Sequence, residues 1–95
     1  MSAPAEGERV STLIACGGIT IEQILSGSLP RPLDFNEDHA EWVLVLEGHA
    51  RLRVEEDELE LGPGEWLMLP AGCAHSLLET EPGTSWLALH LPREG

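Results

Sequence analysis

Turn-forming residues recur so often along this chain that no helical period survives three turns. Cys16-Gly17-Gly18, Gly27, Pro30-Arg31-Pro32, Gly48, Gly62-Pro63-Gly64, Pro70-Ala71-Gly72 and Pro82-Gly83 interrupt it one after another. Glycine admits positive φ and proline removes a backbone donor, so each of these groups ends an element. The runs left between them are short and rich in Val, Ile, Leu, Thr and Trp. They read as strands over residues 12–15, 19–25, 41–47, 50–54, 58–61, 65–69, 75–80 and 85–91. Many short strands at close spacing make an all-β sandwich or small barrel.

Ninety-five residues close one core and leave no room for a second. Residues 1–10, rich in Pro, Gly and Glu, are expected to form a flexible tail, and 11–95 the single domain. The formal net charge of −12 argues against nucleic acid and against anionic membranes, both of which require clustered cations. The chain has no lysine, which excludes a Schiff base or a P-loop lysine, and no tyrosine. Two cysteines, Cys16 and Cys73, are too few for a disulfide framework. The first residues carry neither a basic nor an apolar stretch, so a reduced, cytoplasmic setting is expected. The longest apolar run, from Trp42 to Leu46, is too short to span a bilayer.

One hairpin is expected to turn at Glu56-Asp57, with Val54 facing Leu59, Arg53 facing Glu60 and Leu52 facing Leu61. Other strands are apolar on both faces: Trp42, Leu44 and Leu46 oppose Val43 and Val45, and Trp86 and Ala88 oppose Leu87 and Leu89. Such strands need cover on both sides. A homodimer is therefore expected, with some of Trp42, Trp66 and Trp86 in its interface; the alternative is three tryptophans in one core.

Two segments carry chemistry. The first runs from Asp34 to Glu41 into an apolar strand ending at Gly48; if it is extended, Glu37, His39 and Glu41 share a face with Val43 and Val45. The second runs from Gly62 to His75. Its spacing is Gly64, five residues, Pro70, one residue, Gly72, two residues, His75. This resembles the second signature motif of the cupins, with Glu79 where that motif closes on Asn. Glu41, six residues, Gly48 is similar to the end of the first cupin motif. The resemblance covers residues 35–79 and implies an all-β, cupin-type jelly-roll β-barrel with a small internal site.

The resemblance also implies a ligand set. Metal-binding cupins use three His and one Glu. Here His75 and Glu41 fall on the second-motif His and the first-motif Glu, whereas the other two positions hold Phe35 and Glu37. His39, between Glu37 and Glu41, is a substitute for the lost His. The candidate metal ligands are thus Glu37, His39, Glu41 and His75. Carboxylates facing an apolar barrel need a cation, a donor or a proton. Mixed carboxylate and imidazole donors suit Mn, Fe, Ni or Zn; the alternative is a solvated acidic loop with Glu41 hydrogen-bonded at the barrel mouth.

The remaining candidates are weaker. Cys73 reads as a filler, His49 as exposed, and His90 as a strand-end or dimer-face residue. The run from Glu55 to Glu58 reads as a solvated turn, and Ser76 and Ser85 lack triad partners. Three functions stay open: a small metal-dependent enzyme acting on a small carbonyl or carboxylate compound, a non-catalytic ligand-binding, sensor or accessory module, and a structural cupin with an empty pocket.

Overall fold

The computed structural model describes residues 4–92. Parts of the expected tail (1–3) and of the expected domain (93–95) lie outside the described residues. Among the described residues there are nine strands and no helix: β1 Glu8–Cys16, β2 Ile19–Ser26, β3 Leu33–Phe35, β4 Glu41–Glu47, β5 Ala50–Val54, β6 Asp57–Leu61, β7 Trp66–Leu69, β8 His75–Thr80 and β9 Thr84–His90. They form a five-stranded antiparallel sheet in the order β1-β2-β9-β4-β7 and a four-stranded one in the order β3-β8-β5-β6. This is the two-sheet all-β arrangement expected from the turn spacing, and it fits the jelly roll that the cupin resemblance implies.

Three details depart from expectation. Strand β1 begins at Glu8, because Glu8, Arg9 and Val10 pair with Ser26, Leu25 and Ile24. Strand β3 has only three residues and a central Asp, too short to register as a periodic run; it pairs Leu33 with Leu77 and Phe35 with His75. The hairpin turns at Glu55-Glu56, so Val54 faces Asp57, Arg53 faces Glu58 and Leu52 faces Leu59. That slip of two residues keeps every side chain on its expected face, since the strand period is two. It also keeps Arg opposite Glu, with Arg53 and Glu58 3.5 Å apart. The tighter loop requires a positive φ of 56° at Glu55, which nothing in that residue type announces.

The core lies between the sheets and includes Val43, Val45, Ala50, Leu52, Leu61, Leu77, Trp86 and Ala88. Alternation on β4 and β9 points Val43, Val45, Trp86 and Ala88 inward. Trp86 is only 4% exposed, so it belongs to the core and not to a subunit interface. Its indole N–H donates to Ser26 Oγ at 3.1 Å. Trp42 and Trp66 lie on the opposite face of the same sheet, ring centroids 6.1 Å apart, and Trp66 is 60% exposed.

Candidate metal centre

Strand pairing gathers imidazoles and carboxylates at one end of the space between the sheets. Glu41 opens β4 directly opposite His90 on β9, and β2 brings Glu22 alongside through its pairing with Ala88. Opposite, Phe35 of β3 pairs with His75 at the start of β8. Between β3 and β4, residues 36–40 leave the extended conformation, so Glu37 and His39 do not share a face with Glu41 through strand alternation. Backbone bonds hold that loop instead: Gly72 N–H donates to the Glu37 carbonyl at 2.8 Å and Leu91 N–H to the Ala40 carbonyl at 2.9 Å. The positive φ of Gly72, 76°, belongs to the turn that makes the first of these contacts.

The side chains fall into two groups. In the first, His39 Nε2 lies 2.9 Å from His90 Nδ1 and 3.3 Å from Glu37 Oε2. Donor atoms of Glu37, His39 and His90 all lie within 4.8 Å of one another. The outer nitrogen of each ring faces a carboxylate: His90 Nε2 is 2.8 Å from Glu22 Oε1, and His39 Nδ1 is 3.5 Å from Asp38 Oδ1. When those outer nitrogens carry the protons, two ring lone pairs and one carboxylate oxygen converge on the same point. Glu37 Oε2 is moreover buried without a hydrogen-bond partner. Such a constellation could hold a cation, which would offset the burial of Glu37 Oε2.

The second group is Glu41 and His75. His75 Nδ1–H donates to the Cys73 carbonyl at 3.1 Å, which fixes the tautomer and leaves the Nε2 lone pair 3.9 Å from Glu41 Oε1. Glu41 Oε2 is 3.6 Å from His90 Nε2, so the two groups touch. Burial pushes the Glu41 carboxyl above its ordinary range, and the neighbouring Glu37 charge pushes it the same way; His90, His75 and His39 oppose the shift. Phe35, at the position where the motif calls for a first His, stacks on the His75 ring at a centroid distance of 5.3 Å. It offers no donor and fixes the plane of His75.

All four expected ligands therefore stand at this end of the molecule, with Glu37 and His39 in one group and Glu41 and His75 in the other. His90 and Glu22 were missed. The signal for His90 was its parity with Trp86 and Ala88; it points inward because they do. The position closing the second motif, Glu79, faces away from the site and pairs with Arg51. Cys16 and Cys73 are free thiols. Partial burial and the adjacent Glu55 both push the Cys73 thiol up, away from the thiolate form. His49 is exposed, as expected, and its bond to Glu81 raises its pKa.

Below the two groups is a cavity of about 150 Å3. Its lining includes Glu22, Glu37, Glu41, His75 and His90 at the polar end, then Ile24, Val43, Leu52, Leu77 and Trp86. Glu8 lines it as well, accepting a 2.7 Å hydrogen bond from Ser26 Oγ–H. Burial raises the Glu8 carboxyl above its ordinary range, and the Ser26 bond partly offsets this.

Residues 21–89 match the family model described as Cupin domain. A crystal structure from Ralstonia eutropha JMP134, described as a candidate mannose-6-phosphate isomerase, is 32% identical with a TM-score of 0.84, covering 95% of this chain and 89% of that one. KdgF from Halomonas sp. is 17% identical with a TM-score of 0.83, covering 93% of this chain and 81% of that one, a likeness of fold alone. The uncharacterised HTH-type transcriptional regulator YdeC of Bacillus subtilis (strain 168) is 32% identical over 76 residues, which are 80% of this chain. The chain spans a quarter of that regulator's length. No helix among the described residues is long and apolar enough to cross a membrane.

Proposed function

The chain belongs to the cupin domain family, and from that premise we propose that it is a small metal-dependent cupin whose cavity takes one small molecule. Glu37, His39 and His90 hold a divalent first-row ion, with Mn, Fe, Ni and Zn as candidates. The observation that carries this is the convergence of His39 Nε2, His90 Nδ1 and Glu37 Oε2, each imidazole backed by a carboxylate on its far nitrogen. Two imidazoles and one carboxylate make a set that leaves coordination positions open. When bound, the ion supplies Lewis acidity toward an oxygen of a small carbonyl or carboxylate compound.

The chain's own residues supply the rest. Glu41 and His75 face each other beside that centre, and the fixed His75 tautomer presents Nε2 as a proton acceptor. Glu41, held above the usual carboxylate range, keeps a proton longer than an exposed Glu and serves as its partner in proton transfer. The cavity of about 150 Å3 accommodates a molecule about the size of benzene, and its apolar walls favour a short carbon skeleton. The sugar phosphate named for the Ralstonia protein is larger than that, and neither Arg nor Lys lines the cavity to meet a phosphate.

A second reading is favoured by the match to one quarter of a transcriptional regulator: the same cavity then serves a ligand-sensing module without catalysis. Elemental analysis of the whole chain after loading with Mn, Fe, Ni or Zn tests the metal. About one ion per chain, lost in Glu37→Gln, supports the centre. Loading that survives Glu37→Gln, or no loading at all, removes it. With a metal present, turnover of small carbonyl and carboxylate compounds separates enzyme from sensor.

A further inference from the structure

The cavity has two polar ends. One is the imidazole–carboxylate centre; the other is Glu8, on the inner face of β1 opposite Ser26. Glu8 is built in: the Trp86 indole N–H donates to Ser26 Oγ, and the Ser26 hydroxyl donates to Glu8 Oε2. Ser26 is fully buried and Trp86 nearly so, which leaves this chain of bonds little freedom. Along β2, Glu22 and Ser26 are four residues apart, about 13 Å at the Cα level at 3.3 Å per residue. Between them the wall is apolar: Val10, Ile24, Val43, Leu52, Leu77 and Trp86.

The sign of the charge is one-sided. The cavity is lined by Glu8, Glu22, Glu37 and Glu41 and by no Arg or Lys. Four carboxylates outweigh one divalent ion, so a ligand of net negative charge meets repulsion with or without the metal, and a carboxylate compound is favoured there only when it also carries an ammonium group. A cationic group meets a placed acceptor at Glu8 and offsets the cost of burying that carboxyl.

We propose that the cavity binds a small primary amine, its ammonium group on Glu8 and its carbon chain along the apolar wall, with any oxygen function directed toward Glu41, His75 and the metal centre. This rests on reading the cavity as a ligand pocket and names the class of ligand. It does not require that the metal be present. The span of about 13 Å, less one contact of about 3 Å at each end, leaves room for roughly six non-hydrogen atoms in a chain, which agrees with the volume.

The test compares three probes of one shape, n-pentylamine, pentanoate and n-pentanol, on the whole chain, by calorimetric titration with and without Zn. The amine is expected to bind at least tenfold more tightly than pentanoate or pentanol in both conditions. Glu8→Gln, which retains an oxygen acceptor for Ser26, is expected to lose that preference tenfold or more while still taking up one metal per chain. Equal binding of the three probes, tighter pentanoate, or unchanged amine affinity in Glu8→Gln overturns the proposal. The probe comparison on the unaltered chain decides the matter even where the variant does not fold. Amine binding without metal uptake leaves this inference standing and removes the metal centre; metal uptake without amine preference does the reverse.

Discussion

His39 Nε2 and His90 Nδ1 lie 2.9 Å apart although 51 positions separate them in the chain. One comes from the loop between β3 and β4 and the other is the last residue of β9, so the contact ties that loop to the end of the last strand. Because Glu37 Oε2 lies 3.3 Å from the same His39 nitrogen, the contact doubles as the centre of the donor set.

Gly48 ends β4 with a φ of 85°, and a Cβ there meets Thr84 Oγ1 at 2.4 Å and Thr84 Cα at 2.8 Å. Thr84 is fully buried and cannot retreat. Gly48→Ala is expected to cost about 2–4 kcal/mol, from left-handed strain and overpacking together. Gly64 has a φ of 81° and open space around it, so Gly64→Ala should cost only about 1–2 kcal/mol. Urea denaturation of both variants checks the ranking; equal losses would contradict it.

Glu8 contributes a pH dependence that a single substitution can isolate. Its folded pKa is raised above the ordinary value of 4.5, so between the two values the folded state holds more protons than the unfolded one. Stability therefore falls as pH rises through that window, and the full cost is present above it. Glu8→Gln removes the cost. The variant is expected to melt roughly 2 °C above the parent near pH 7.5, the modest size reflecting partial solvent screening, and level with it near pH 4. A difference independent of pH would contradict the direction of the shift.

Trp42, Leu44, Trp66, Met68, Leu87 and Leu89 form an apolar patch without an acidic residue on a chain that has seventeen. Two copies of a chain with net charge −12 repel least where that patch meets itself. Pairing of two chains through it is expected, and Trp66→Glu should shift the population toward single chains in sedimentation velocity. A monomeric parent, or a dimer that survives the substitution, would contradict this.

The strands were legible because glycine and proline punctuate this chain so densely, and β4, β5 and β8 begin and end where the pattern placed them. Strand β3 escaped because three residues carry no period. The hairpin slipped because a Glu at φ 56° permits a loop that the residue type does not signal. Glu37, His39, Glu41 and His75 stand out in two local segments, whereas the approach of His90 to His39 depends on which strand pairs with β4. His90 does stand at a strand end, as expected, but that position alone gives no sign of its inward contacts. A strand apolar on both faces leaves open whether Trp86 and Ala88 face the core or a partner, and the structure turns both inward and His90 with them. Glu22 carries no local signal at all; only the pairing of β2 with β9 brings it to His90.

The central claim is that the metal centre includes His90 of the last strand. Competition titration with Zn against a chromogenic chelator, run in parallel on the parent, His90→Ala and His75→Ala, tests it most directly. Loss of a ligand should weaken Zn binding about a hundredfold or more in His90→Ala, while His75→Ala, which removes a neighbour of the centre, should stay within about tenfold of the parent. The reverse order, with His75→Ala losing the metal and His90→Ala keeping it, would contradict the account.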